Sequence, residues 1–135
     1  MIEKVTLRLA ADGTFEPASG IPCQQTNPKA LLLYAAAKCA ALTAQHIIAR
    51  SRVTPRRLEV TVSGELTTDT VQSESLFTSF HFFYEAACDT DADQAAAIRA
   101  FRLTHEKHCS MVKMLGRIAP VSYEMTVYGY DEPKC

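Results

Sequence analysis

The pattern of apolar and polar residues predicts short strands arranged around one long buried helix. Residues 27–50 read NPKALLLYAAAKCAALTAQHIIAR and contain no Gly or Pro after the first two positions, which favours a long helix. Asn27 suits its N-cap, and Pro28 suits its first position because no backbone N–H is lost there. Its apolar residues go almost all the way round, which is typical of a helix buried on most sides. Lys38 in mid-span argues against a membrane-spanning helix.

Alternation of apolar and polar residues predicts the strands. The predicted strands are residues 3–9, 14–17, 57–66, 76–87 and 121–130. Asp12 and Gly13, between the first two strands, are typical of a hairpin turn. The fourth strand is rich in aromatic residues and is apolar on both faces, which favours a central position or cover on both sides.

Two further helices are predicted between the fourth and fifth strands. The first runs from about Ala92 to Lys107, and the second from about Cys109 to Leu115, with Gly116 as its C-terminal cap. The order ββ-α-ββ-α-α-β predicts an α+β fold with a long central helix and mostly antiparallel strands. Because the chain has 135 residues and no linker-like segment, we expect one domain over residues 1–135.

Composition narrows the classes of partner and compartment. The formal charge is −1, from 14 basic and 15 acidic residues, so the basic excess that a nucleic-acid or membrane surface requires is missing. The first ten residues alternate and lack the apolar run of a signal peptide, so we expect a cytoplasmic protein. Five widely spaced cysteines, an odd number, do not fit a secreted disulfide framework.

Two of the cysteines stand out by their context as candidates for thiol chemistry. Cys39 lies in the middle of the long apolar helix. Cys109 falls in the first turn of a predicted helix, where free backbone N–H groups favour a thiolate. The alternative is that both are small core residues, since free cysteine is among the most buried residue types. Cys23, Cys88 and Cys135 have weaker contexts, namely a loop, a strand end and the last position.

A metal site is a further alternative for the segment His105-Glu106-Lys107-His108-Cys109. The segment lacks the two-residue gap of the HExxH zinc motif, and the chain has no Cys-x-x-Cys pair. We therefore expect neither a metal nor another cofactor.

The two cysteine segments resemble those of the OsmC/Ohr family, the osmotically inducible and organic hydroperoxide resistance proteins. Asn27-Pro28 precedes Cys39 by the interval seen in that family, with a long Ala/Leu-rich helix between them. Residues 105–110, HEKHCS, followed by Met114-Leu115, resemble the second cysteine helix of the less characterised OsmC-like branch. The order of predicted elements fits the family over nearly the whole chain.

The resemblance implies an OsmC-like fold, an intertwined homodimer and a thiol peroxidase activity. Cys39 would be the peroxidatic thiol that reacts with an organic hydroperoxide, and Cys109 would be the resolving thiol. A dithiol reductant would then reopen the disulfide. The alternative is a non-catalytic protein of the same fold that binds an apolar small molecule in the dimer cleft.

The chain departs from the resemblance at two positions. Characterised members carry a Glu after the Asn-Pro pair, where this chain has Lys29, and they use an N-terminal Arg to hold the thiolate. Arg8 is the only Arg before the long helix, and no register assigns it that role. Lys29 precedes Cys39 by ten residues, about 15 Å along one helix, so any contact would come from a partner chain. Four residues, Lys29, Arg8, His105 and Glu106, are therefore the candidates for neighbouring or activating the Cys39 thiol.

Overall fold

The predicted strands assemble into one sheet. A computed structural model of the chain describes residues 1–68 and 74–129. The strands are β1 (Ile2–Leu9), β2 (Phe15–Pro17), β3 (Arg57–Leu66), β4 (Phe77–Cys88) and β5 (Val121–Gly129). Their order is β2-β1-β3-β4-β5. Three of the four pairings are antiparallel and β4–β5 is parallel, so the prediction of a mostly antiparallel sheet is confirmed. Tyr130, the predicted end of the last strand, lies outside the described residues.

The helices complete the predicted ββ-α-ββ-α-α-β order, so the α+β fold class is confirmed. They are α1 (Pro28–Arg50), α2 (Asp91–Leu103) and α3 (Ser110–Gly116), with a short 3-10 turn at Cys23–Gln25. Parallel strands need a crossover connection, and α2 and α3 lie within the one between β4 and β5. This connection passes over the face of the sheet that also carries α1.

The long helix α1 begins as the sequence predicts. The Oδ1 atom of Asn27 accepts a hydrogen bond from the backbone N–H of Ala30 at 2.9 Å, and Pro28 occupies the first helical position. By length and composition alone, α1 is the one described helix that could cross a membrane. Eight of its residues are buried within the chain, and α1 packs on β1, β3, α2 and α3. That burial is typical of the core helix of a folded domain, but the prediction of burial on most sides is not confirmed within this chain, because residues such as Ala35, Lys38 and Leu42 are exposed.

The two faces of the sheet differ in polarity. Side chains on the face toward the helices form the core and are fully buried, and they include Leu7, Val60, Val62, Phe82 and Tyr84. The opposite face carries polar cross-strand pairs. On it Thr6 and Thr61 hydrogen-bond at 2.7 Å, and His81 lies 2.7 Å from Ser122 and 2.9 Å from Glu124. The two cysteines singled out from the sequence belong to the helical layer, Cys39 on α1 and Cys109 at the start of α3.

The segment before Cys109 departs from the prediction. α2 ends at Leu103 rather than Lys107, and residues Thr104–His108 form a π-helical turn. The backbone N–H of Cys109 closes this turn by donating to the Thr104 carbonyl at 2.9 Å. Apolar periodicity does not reveal such a turn, because a single turn of five residues is too short to establish a period of its own.

Two details of α3 were therefore predicted wrongly. Cys109 has an extended backbone (φ −86°, ψ 108°) and is the N-cap of α3, so it precedes the first turn instead of lying in it. Gly116 is the last residue of α3, and Arg117 after it stays in the right-handed region. Gly116 is not a left-handed cap, since the glycines with positive φ are Gly13 and Gly20.

Removing the N-cap of α1 tests how far this local contact supports the fold. We expect Asn27→Ala to lower the free energy of unfolding by about 1 kcal/mol, because the N–H of Ala30 loses its acceptor. Asn27→Asp keeps an acceptor oxygen and should unfold at nearly the urea concentration of the parent protein. Equal losses in both variants would show that the cap is not the cause.

Candidate active site at the Cys39 and Cys109 thiols

The fold brings together two thiols that are 70 residues apart in the sequence. The Sγ atoms of Cys39 and Cys109 lie 3.5 Å apart, with the Cys109 thiol donating a hydrogen bond to the Cys39 sulfur. Both cysteines are free thiols. Cys109 is fully buried, whereas Cys39 is partly exposed. The pair therefore combines one cysteine that is partly open to solvent with one that is fully buried.

Helix α1 positions Cys39 at the border between its buried and exposed faces. Ala36 and Ala40, one on each side along the helix, are fully buried, and such small side chains let neighbouring backbone approach closely. Ala35 and Leu42 are exposed, at four residues before and three after Cys39, so they border its solvent side. The exposed side of α1 next to Cys39 thus carries two apolar residues together with the exposed Lys38.

The environment of Cys109 keeps it in the thiol form. Burial raises the pKa of Cys109 to about 11, and the neighbouring Cys39 acts in the same direction. The backbone N–H groups of Val112 and Met111 oppose the rise in pKa, but burial outweighs them. Cys109 is thus protonated at neutral pH, which suits its role as the hydrogen-bond donor. The sequence-based expectation of a thiolate at the helix start is wrong for this reason.

A tyrosine that the sequence analysis did not single out lies near the thiols. The Tyr84 hydroxyl, on β4, is 2.9 Å from Nδ1 of His105. Burial raises the pKa of Tyr84, and negative charge on Cys109 or Cys39 raises it further, so the hydroxyl is within electrostatic reach of both sulfurs. The signal available in the sequence was the alternation of strand 76–87, which puts this phenol on the face of Phe80 and Phe82.

His105 is held by aromatic rings as well as by that hydrogen bond. Its ring stacks on Tyr123 with centroids 4.0 Å apart and meets the edge of Phe82 at 5.2 Å. Burial, with a smaller contribution from His81, lowers the pKa of His105 to about 4, so the imidazole is neutral at pH 7. A phenol O–H is a stronger donor than a neutral imidazole N–H, so we assign Tyr84 as the donor to Nδ1.

The other three candidate neighbours lie on different parts of the chain. Lys29 lies in the first turn of α1, ten residues before Cys39 on the same continuous helix. Arg8 is exposed beside the fully buried Leu7, so by strand alternation it points away from α1. Glu106 is exposed on the π-helical turn. Of the four candidate neighbours, His105 is linked to the pair indirectly, through its contact with the Tyr84 hydroxyl.

The remaining cysteines and the metal alternative can be placed as well. Cys23 is exposed, and Cys88 is buried with its pKa raised by that burial. Cys135 lies outside the described residues. Within residues 1–68 and 74–129, no three His, Cys, Asp or Glu side chains are grouped so that they could hold a metal ion.

Three cavities formed by the described residues lie away from the thiols. The one beside the start of α1 has a volume of about 470 Å³ and is lined by residues such as Val5, Ile21 and Tyr34. Two others have volumes of about 580 and 430 Å³. Neither Cys39 nor Cys109 lines any of the three.

Comparison with known proteins gives a family and several similar folds. A family model described as OsmC-like protein matches residues 21–124. A search of curated proteins finds no match. A hypothetical protein from Aquifex aeolicus has a similar structure, with a TM-score of 0.58, 20% identity, and coverage of 94% of this chain and 96% of that one.

Two further solved structures have names that describe a class of protein. An OsmC-like protein from Mycoplasma pneumoniae matches with a TM-score of 0.58 and 16% identity, covering 95% of this chain and 96% of its own. An organic hydroperoxide resistance protein OsmC from Legionella pneumophila, also described as a predicted redox protein, matches with a TM-score of 0.57 and 14% identity. That match covers 92% of this chain and 96% of the other. At these identities the likeness shows a shared fold.

The unequal burial of the two thiols predicts unequal alkylation. Below pH 9, iodoacetamide should modify the exposed Cys23 and the partly exposed Cys39 of the reduced protein before it modifies Cys109. Peptide mass spectrometry after short exposures measures the order. Alkylation of Cys109 as fast as Cys23 would contradict both its burial and its raised pKa.

The lowered pKa of His105 predicts a loss of stability in mild acid. Between pH 6.5 and about 4 the unfolded chain takes up a proton at His105 and the folded chain does not, so the free energy of unfolding falls as the pH falls. His105→Asn should remove this part of the pH dependence, whereas His108→Asn, on the exposed side of the same turn, should retain it. Urea unfolding measures the free energy of unfolding of both variants across this pH range. Identical pH dependence in the two variants would refute the assignment of this effect to His105.

Proposed function

Because this chain belongs to the OsmC-like protein family, we propose that it is a thiol-dependent peroxidase that reduces organic hydroperoxides. The observation that carries the proposal is the 3.5 Å separation of the Cys39 and Cys109 sulfurs. A disulfide has an S–S length of about 2.05 Å, so the sulfurs need to approach by only about 1.5 Å. Such a movement lies within the range of side-chain rotation and small backbone shifts.

The first step is the oxidation of Cys39. Its thiolate attacks one oxygen of the hydroperoxide, the O–O bond breaks, and a new S–O bond gives the sulfenic acid. The sulfur loses two electrons to the peroxide, and the departing alkoxide takes up a proton to become an alcohol. The partial exposure of Cys39 on α1 supports its assignment as the thiol that meets the substrate.

The second step is the closure of the disulfide by Cys109. Its sulfur attacks the Cys39 sulfur, the S–O bond breaks as the S–S bond forms, and the thiol proton leaves with the hydroxide as water. Cys109 is fully buried and has a pKa raised by burial to about 11, so it is protected from direct oxidation. An external dithiol then reduces the disulfide by two exchange steps, which restores both thiols.

The proposed substrate preference is supported by two apolar residues that border Cys39. Ala35 and Leu42 border its exposed side, so they would contact the organic group of a hydroperoxide. Burying two CH₂ groups of a substrate contributes roughly 1.6 kcal/mol, a factor of more than ten in rate if the contact is made in the transition state. We therefore propose an organic hydroperoxide as substrate in preference to hydrogen peroxide.

The proposal extends to a cytoplasmic homodimer, as the family resemblance implies. The exposed side of α1 carries apolar residues such as Leu42, whose side chain is 46% exposed. A second copy covering this side would remove the apolar surface from water and make a cleft above Cys39. The apolar-ligand alternative would use the same cleft without oxidising the thiol.

Peroxide consumption by cysteine variants tests the proposed reaction. With cumene hydroperoxide and excess dihydrolipoamide, we expect the parent protein and the Cys23→Ser control to consume peroxide at the same rate. Cys39→Ser should reduce the rate to the background without protein. Without reductant, Cys109→Ser should consume one equivalent and accumulate a Cys39 sulfenic acid that dimedone labels.

The same assay separates the alternatives. Peroxide consumption that persists in Cys39→Ser would remove Cys39 from the reaction, and consumption at background level in every protein would leave the non-catalytic binder. Replacing cumene hydroperoxide with hydrogen peroxide should lower the second-order rate about tenfold or more. Equal rates with the two oxidants would refute the role given to the apolar border.

A further inference from the structure

The π-helical turn Thr104–His108 determines where Cys109 lies. It connects α2 to Cys109, and its closing hydrogen bond runs from the N–H of Cys109 to the Thr104 carbonyl at 2.9 Å. A π-helical turn is less favourable than the α-helix it interrupts and is frequent at functional sites. Surrounding contacts must therefore hold it in place. Any change in the turn is transmitted directly to the Cys109 backbone.

Two side chains of this turn are withdrawn from solvent, the fully buried Thr104 and His105, and His105 is the one that contacts aromatic side chains of the sheet. The three residues after it, 106–108, are exposed, whereas His105 is partly buried among aromatic rings. It stacks on Tyr123, meets the edge of Phe82, and accepts the hydrogen bond from Tyr84. The stacking contacts allow sliding within the ring plane, but the hydrogen bond fixes a direction and a distance.

Tyr84 is a rigid anchor for that hydrogen bond. It lies on β4, the strand between β3 and β5, and is paired with Val60 on one side and Met125 on the other. Its ring is fully buried and packs against Phe101 with centroids 5.1 Å apart. The hydroxyl therefore has a position set by the sheet, and the turn adapts to it.

We propose that Tyr84 is a positioning residue that acts through His105: its hydrogen bond fixes the π-helical turn so that the Cys109 sulfur faces Cys39. This inference rests on the proposed function for its catalytic meaning, because a fixed Cys109 matters most when Cys39 must be resolved quickly. In residues 1–68 and 74–129 the partner of the Tyr84 hydroxyl is His105, and neither sulfur is hydrogen-bonded to it. Tyr84 thus acts on the thiols through the turn.

The consequence is an effect on the closeness of the two thiols in the reduced protein. Without the hydrogen bond, the turn samples positions in which Cys109 is directed away from Cys39. The disulfide then forms only in the fraction of molecules whose two sulfurs face each other. One hydrogen bond has a net value of about 1 kcal/mol, so the effective concentration of the thiol pair should fall about fivefold. The rate of disulfide closure should fall by the same factor, while the reaction of Cys39 with peroxide should not change.

The effective concentration can be measured by titration in a glutathione redox buffer. The fraction of the Cys39–Cys109 disulfide is read by mass spectrometry in the parent protein and in Tyr84→Phe, which retains the ring and loses the hydroxyl. We expect a decrease of about fivefold in Tyr84→Phe. Tyr123→Phe is the matched control, because the described part of the chain provides no hydrogen-bond partner for the Tyr123 hydroxyl and the stacking on His105 is retained.

A second pair of variants tests the acceptor. His105→Asn puts an amide oxygen near the position of Nδ1, so this variant should retain most of the effective concentration of the parent protein. His105→Leu has no acceptor there and should lower the effective concentration as Tyr84→Phe does. This pair also decides the question if Tyr84→Phe does not fold. An unchanged titration in Tyr84→Phe, an equal loss in Tyr123→Phe, or equal losses in the two His105 variants would each overturn the inference.

The titration uses no peroxide, so it separates this inference from the proposed function. A fivefold loss in Tyr84→Phe together with a protein that consumes no hydroperoxide would retain the positioning role and reject the peroxidase. Peroxide consumption by the parent protein together with an unchanged titration in Tyr84→Phe would support the peroxidase and reject the positioning role. In stopped-flow experiments on an active protein, Tyr84→Phe should slow the conversion of sulfenic acid to disulfide and leave its formation unaffected.

Discussion

The packing of α1 against the connection between β4 and β5 is the constraint on which the site depends. Because β4 and β5 are parallel, the chain must cross over the sheet to join them, and the crossover settles beside α1 on the same face. This packing brings Cys39 and Cys109 to 3.5 Å, although each lies on a separate element. Small buried alanines on α1 let the two elements approach closely enough for the sulfurs to meet.

Burial divides the two thiols into different chemical roles. A thiol that is fully removed from water resists ionisation, so Cys109 remains a protonated donor, while Cys39 at the border of α1 is open to a reactant. Two equally exposed thiols would compete for the oxidant and would each risk overoxidation. This difference between the thiols follows from their burial alone, because Cys39 lies at the border of the exposed side of α1 and Cys109 lies in the core.

Much of this architecture was predictable from local patterns. The N-cap at Asn27, the alternation in the strands and the Gly13 hairpin turn are each determined by a few adjacent residues. The two important cysteines were recognisable because their flanking segments resemble a known family. The fold class and the order of elements followed from the local patterns and agree with that resemblance.

The parts that could not be predicted depend on contacts distant in the sequence. The π-helical turn lies between His105, which packs on the sheet, and Cys109, which meets Cys39 of α1, and a single turn of this kind leaves no periodic signal. The protonated state of Cys109 was missed because burial, which outweighs the helix N–H groups, is a property of the packed core. The role of Tyr84 was hidden in a strand of similar aromatic residues, where pairing with His105 alone distinguishes it.

The central claim is that Cys39 and Cys109 form a redox pair, and peptide mapping of the oxidised protein tests it most directly. After one equivalent of cumene hydroperoxide, digestion under non-reducing conditions should yield one linked pair of peptides, joined through Cys39 and Cys109, with the loss of two hydrogens. Cys39 recovered as sulfinic acid beside an intact Cys109 thiol, or linkages through Cys23 or Cys88 instead, would contradict the account.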